Sequence, residues 1–256
     1  MIEKIVLVTR KTRLEGLVER FNTRAQAKFY IEHNGGDFAF YDQEHRTYHE
    51  ALANLRRGLK RLLKVHEIER GFLPNYLFTK TDLIVTIGID GLVVNTAKYL
   101  DGQPLIAVNP DPAHIDGILL PFTVASGLVM VSKALRGQVI VREVTMAEAR
   151  LNDGQRLLAF NDLFIGVRSH VSARYRIRIN GFEEHHSSSG IIVSTGAGST
   201  GWLSSMFNMA RGMARAFAEG GSGATAEVLA FSPLMLPWDT DHLVFVVREP
   251  FLSKTS

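Results

Sequence analysis

The chain reads as an α/β domain followed by a domain built mostly of strands. Three observations predict this. Strand-like and helix-like patterns alternate through the first part of the sequence. The segment Asn109-Pro110-Asp111-Pro112-Ala113-His114-Ile115-Asp116-Gly117, with two prolines and a glycine, then breaks that rhythm. Beyond it come short alternating segments and the pair Asn180-Gly181, the strongest hairpin signal in the chain.

Taken in order, Ile5 to Thr9 is an apolar, β-branched run and predicts a buried strand. Thr12 to about His33 predicts one helix, with Leu14, Leu17, Val18 and Phe21 on a shared face. Asn34-Gly35-Gly36 stops it. The Gly-Gly-Asp of residues 35–37 is therefore a helix stop rather than a ligand loop. Phe38 to Tyr41 predicts a short strand. Thr47 to Arg70 predicts an amphipathic helix with Leu52, Leu55, Leu59, Leu62 and Leu63 as its apolar stripe. Leu83 to Ile87 is a strand, Gly91 to Leu100 a helix, and Pro104 to Val108 another strand. This βαβ rhythm predicts a parallel, Rossmann-like sheet with helices on its faces. We expect the first domain over residues 1–115 and a sandwich-like all-β domain over 116–256. Strands in the second domain are expected at Val139–Met146, within Arg156–Val167, and at Ala173–Ile179, Ile191–Ser194 and Val244–Val247, with one helix from about Ser199 to Glu219.

With 256 residues, 46% hydrophobic and 21% charged, the composition is that of a folded protein with a sizeable core. The formal net charge of +3 is too small to argue for nucleic acid. Arg56, Arg57, Lys60, Arg61 and Lys64 read as a solvated helix face. Absence of cysteine excludes disulfides, thiolate ligands and a cysteine nucleophile, and fits a cytoplasmic protein. No apolar run approaches the roughly 20 residues that span a bilayer, so no membrane partner is expected. His185 and His186 are neighbours on an expected strand and point to opposite faces, so they do not share an ion, and no metal site is assigned. Arg10, Lys11 and Arg13 follow the first strand and are placed to steer anionic phosphates toward its end.

Three segments carry chemistry. In the first, the strand ending at Ile87 runs into Gly88-Ile89-Asp90-Gly91-Leu92. A carboxylate between glycines at the C-terminal end of a buried strand is where open α/β sheets place ligands. In the second, Asn161-Asp162 interrupts the strand-like AFNDLFIG, and polar groups in such a run need partners from the fold or from a ligand. In the third, Ser194-Thr195 leads into Gly196-Ala197-Gly198-Ser199-Thr200-Gly201-Trp202, whose backbone N–H groups and hydroxyls at a helix start suit a phosphate or nucleotide.

In this order and spacing the three segments resemble the NAD kinase family, which carries Gly-Gly-Asp-Gly-Thr, then Asn-Glu, then Ser-Thr-Pro-Thr-Gly-Ser-Thr-Ala-Tyr. The resemblance implies a kinase that transfers phosphoryl from ATP or another donor, with Mg2+, to the 2′-hydroxyl of the adenosine ribose of NAD. It makes Asp90 the general base. It assigns dinucleotide binding to Gly88, Gly91, Asn161, Asp162, Thr195, Ala197, Gly198, Ser199, Thr200, Gly201 and Trp202, and implies a homodimer or homotetramer. Ile89 stands where the family has its second glycine and Leu92 where it has threonine. Two alternatives therefore stand beside the kinase. One is a non-catalytic dinucleotide-binding relative whose donor site is spoiled by these two residues. The other is a kinase for another alcohol: a sugar, nucleoside or lipid.

Overall fold

The computed structural model describes residues 2–219 and 234–251. Two compact units divide the chain, Met1–Val141 and Arg142–Ser256.

The first unit is a four-stranded parallel sheet. Its strands are β1 (Lys4–Thr9), β2 (Val65–Glu69), β3 (Asp82–Ile87) and β4 (Leu105–Val108), in the order β2-β1-β3-β4. β1 is central and pairs in parallel with both β2 and β3. Burial on both faces explains why β1 and β3 read as continuous apolar runs. On one face Ile5, Leu7, Leu83, Val85 and Ile87 pack against Leu52, Leu55 and Leu59 of helix α3 (Phe38–Lys60) and Val131 of helix α5 (Val124–Leu135). On the other, Val6, Val8 and Ile84 meet Leu73 and Leu92, the latter from helix α4 (Asp90–Ala97). Helices on both faces of a parallel sheet make a doubly wound unit.

Several sequence expectations are corrected here. The single helix expected over Thr12–His33 is two, α1 (Arg13–Phe21) and α2 (Arg24–His33). Asn22, in the left-handed region at φ 67°, ends the first, and the Thr23 side chain caps the second by accepting from the Gln26 N–H. The strand expected at Phe38–Tyr41 is the first turn of α3, capped by Asp37, whose carboxylate accepts from the Ala39 N–H at 2.8 Å. That helix ends at Lys60, not Arg70, and Val65–Glu69 is strand β2. Helix α5 packs on the sheet and carries the first unit past residue 115 to Val141. No strand forms over Val139–Met146; the first strand of the second unit begins at Ala147.

The second unit holds antiparallel sheets. Strands β5 (Ala147–Arg150) and β6 (Arg156–Ala159) pair, as do β8 (Ala173–Ile179) and β9 (Phe182–Ser188). A three-stranded sheet runs β11-β10-β7, with β7 Asp162–Ile165, β10 Ile191–Ser194 and β11 Val244–Val247. Asn180 and Gly181 have φ of 49° and 84°, so the β8–β9 hairpin turns through the left-handed pair that an Asn-Gly sequence favours. After β10 comes a 3-10 turn, Ala197–Thr200, and then helix α6, Trp202–Glu219. Among the described residues no helix is long and apolar enough to cross a membrane.

Candidate active site

In the first unit the strand order itself marks a location. The chain moves from β1 out to β2, then back across β1 to β3 and β4. The crossover point therefore lies between the C-terminal ends of β1 and β3, where open α/β sheets bind ligands. Gly88, Ile89 and Asp90 leave β3 at that edge, and Arg10 leaves β1.

Asp90 is the first residue of α4. A carboxylate there complements the positive end of the helix dipole. One oxygen accepts the Leu119 N–H at 2.9 Å, and the other has no protein partner among the described residues. Ile89, the N-cap, offers no side-chain cap, so the first amides of α4 are not covered by a capping side chain. Gly91 has open space where a Cβ would stand. Gly88 has a packing reason instead: a Cβ there would stand 3.0 Å from Leu92 Cδ2 and 3.2 Å from Arg10 Cδ.

The two departures from the family motif separate. Leu92 is buried in the core with Val6, Val8, Ile68 and Ile84, so it serves the packing of α4 and does not face the ligand edge. Ile89 is 39% exposed and stands at that edge. The three basic residues expected to steer phosphates carry ion pairs: Arg10 and Arg13 share Glu44 at 3.1 and 2.6 Å, and Lys11 pairs with Glu19 at 2.5 Å. Arg10 lies over the Tyr48 ring, and its Nε is buried without a hydrogen-bond partner beside Gly88. Arg56 is likewise held by Glu67 through two 2.6 Å contacts.

The second unit brings Asn161, Asp162 and the glycine-rich turn together. Asp162 and Ser194 are cross-strand partners on β7 and β10. The Asn161 carbonyl accepts from the Thr195 N–H at 2.9 Å and lies where a Cβ on Gly198 would collide with it. Gly196 is equally constrained by the Pro237 carbonyl. Thr195 is fully buried; its hydroxyl donates to the Phe160 carbonyl at 2.6 Å and accepts from the Gly198 N–H at 3.0 Å. Ser199, also fully buried, donates to the Gly196 carbonyl at 2.7 Å and accepts from the Leu236 N–H at 3.0 Å. Thr195, Ala197, Gly198 and Ser199 thus build the turn, while Thr200, Gly201 and Trp202 are the exposed part that it presents. Trp202 lies 5.6 Å from the Phe164 ring, with the Arg248 guanidinium 5.3 Å above it. Gly196-x-Gly198-x-x-Gly201 has the spacing of a dinucleotide fingerprint, but it follows an antiparallel strand, and its first two glycines answer to contacts within the unit.

Asp162 carries an unpaired oxygen: its Oδ1 is buried with no hydrogen-bond partner. Burial raises its pKa above the ordinary carboxylate value, with the Ser194 hydroxyl acting in the opposite direction.

No family model matches the chain. It is 29% identical over 161 residues to an NAD kinase of Clostridium kluyveri, covering 60% of this chain and 54% of that protein. It is 30% identical over 143 residues to an NAD kinase of a Thermoanaerobacter species, covering 52% and 49%. Over these stretches the chain is similar to NAD kinases. It spans about half the length of these curated relatives. Its fold is similar to that of an Archaeoglobus fulgidus NAD kinase solved with ATP, at a TM-score of 0.50 and 19% identity over 97% of this chain and 73% of that one. It is also similar to yeast NADH kinase solved with NADH, at 0.51 and 14% over 100% and 65%.

Proposed function

We propose that this NAD kinase relative transfers a phosphoryl group from ATP, or another phosphate donor, to the 2′-hydroxyl of the adenosine ribose of NAD. The observation that carries the reading is Asp90 at the crossover edge of the sheet, with one oxygen anchored by the Leu119 amide and the other unengaged. The free oxygen takes the hydroxyl proton as the ribose oxygen attacks the terminal phosphorus, and the bond from that phosphorus to the departing nucleoside diphosphate breaks. The Leu119 amide keeps the carboxylate oriented while this happens. Magnesium bound to the donor phosphates would supply neutralisation of their charge. From the second unit we assign Asp162, Thr200, Gly201 and Trp202 to the acceptor, with Asn161, Thr195, Ala197, Gly198 and Ser199 shaping the turn that presents them. Gly91 leaves the α4 amides approachable. The same reading makes the protein a cytoplasmic homodimer or homotetramer, which light scattering of the purified protein checks.

The test is a coupled assay for NADP formation with wild type and Asp90→Asn. The variant keeps an acceptor for the Leu119 amide but loses the base. Its turnover should fall by about 10²–10⁴-fold while NAD still raises the melting temperature. Unchanged turnover would remove Asp90 from the chemistry.

A second reading rests on Ile89, an exposed β-branched side chain at the ligand edge. It favours a dinucleotide-binding relative without donor access, or a kinase of another alcohol. Ile89→Gly decides: activity that appears only in the variant supports the non-catalytic relative. A melting-temperature rise with a polyol, nucleoside or lipid headgroup, but not with NAD, supports the other acceptor.

A further inference from the structure

A cluster outside this site has the chemistry of a metal centre. His45 and His49 lie one turn apart on α3, and Glu15 faces them from the first turn of α1. A carboxylate oxygen of Glu15 and one nitrogen from each ring lie within 4.8 Å of one another. His49 Nε2 stands 3.1 Å from Glu15 Oε1. That separation is close to the edge, about 3.3 Å, of a tetrahedron with metal–ligand bonds of about 2.0–2.1 Å. The rings are 4.3 Å apart between centroids.

The surroundings orient these ligands as an outer shell does. Thr12, only 2% exposed, places its hydroxyl 2.9 Å from His45 Nδ1 and so fixes the orientation of that ring. The Thr12 N–H donates to the other Glu15 oxygen at 2.7 Å, leaving Oε1 available. Glu15 and His45 also line a cleft of about 380 Å³, which gives an ion room for a fourth ligand from solvent. Arg24, the nearby cation, is engaged by Asp42.

We propose that Glu15, His45 and His49 bind one divalent transition-metal ion of the zinc class, clamping α1 to α3. Two imidazoles and one carboxylate select zinc, cobalt or nickel over magnesium, which prefers an all-oxygen octahedron. The clamp has a reach into the sheet edge. Tyr48, between the two histidines, accepts the Arg10 N–H at 3.0 Å, so a metal that stiffens α3 also stiffens the end of β1.

The test uses the full chain without a polyhistidine tag, stripped by a chelator and titrated with Zn2+ against a chromophoric competitor. One Zn2+ per chain should bind, with a rise in melting temperature that Mg2+ does not reproduce. Co2+ should give a visible absorption band of a low-coordinate site. His45→Asn and His49→Asn should each weaken binding about 100-fold. Glu15→Gln, which keeps an acceptor for the Thr12 amide, should weaken it at least tenfold, with circular dichroism confirming the fold in each case. His185→Asn, on the β9 strand, should leave binding unchanged. Zn2+ affinity equal to wild type in both α3 histidine variants, or no bound Zn2+ at all, would overturn the proposal.

Discussion

The edge at Gly88–Leu92 and the turn at Thr195–Trp202 carry the same kinds of residue but use them in opposite ways. At the first, Gly91 has nothing near it and Asp90 keeps an oxygen unengaged. At the second, Gly196 and Gly198 are closed in by carbonyls, and the Thr195 and Ser199 hydroxyls each donate one hydrogen bond and accept another inside the unit. A glycine-rich motif is therefore not one thing. Its glycines either admit a ligand or admit the protein's own backbone, and only the surrounding contacts tell which.

The sharpest break of this comparison is a pair of alanines. Gly196→Ala places a Cβ against the Pro237 carbonyl, backbone that cannot rotate away, and should cost about 3 kcal/mol or more. Gly91→Ala, in open space within the first turn of α4, should be neutral or stabilising by up to about 1 kcal/mol. Urea titrations of both measure the contrast, and equal losses would erase it. Smaller effects are expected at the two departures from the family motif. Leu92→Thr restores the family hydroxyl, yet it removes buried apolar volume among Val6, Val8 and Ile84 and should cost about 2–4 kcal/mol without raising activity. Ile89→Gly should cost well under half of that, because its side chain is partly in solvent.

The smallest effect probes Asp162. Its native pKa is raised, so the native state holds this proton more tightly than the unfolded chain does. The stability this gives is fully present below the unfolded value near pH 4 and is lost as pH rises through the raised native value. Asp162→Asn should therefore raise stability at pH 7 slightly, because the half-buried carboxylate is partly screened by solvent, with the gain vanishing below about pH 4. Melting curves across that range check it; a gain that persists at low pH would point to a cause other than the carboxylate's charge.

Much of this was legible in the sequence, for identifiable reasons. β1, β3 and β4 are continuous apolar runs because both faces are covered, and the β8–β9 turn announces itself as Asn-Gly. The four residues Phe38–Tyr41 were not legible, because a short apolar run fits a strand and a helix start equally, and the deciding group was the Asp37 cap before it. Polar β2 hid behind Val65-His66-Glu67-Ile68-Glu69, where only Ile68 is buried. That error had a cost at α3: a helix begun at Thr47 leaves His45 outside it, and the one-turn pairing of His45 with His49 goes unseen. At the candidate site, the order of the three segments was readable, but the division into builders and presenters was not. Thr195 and Thr200 look alike in sequence; one is fully buried and the other exposed.

The position of β1 in its sheet also bears on how the protein comes into being on the ribosome. β1 is the earliest of the four strands to be made, yet it sits in the interior of the order β2-β1-β3-β4 and pairs with strands on both sides. Each later strand adds to an edge that already exists, first β2, then β3, then β4 on β3. The order of synthesis therefore allows the parallel sheet to grow outward, and all four of its strands have been made once Val108 has emerged, while the strands of the second unit are still to be translated.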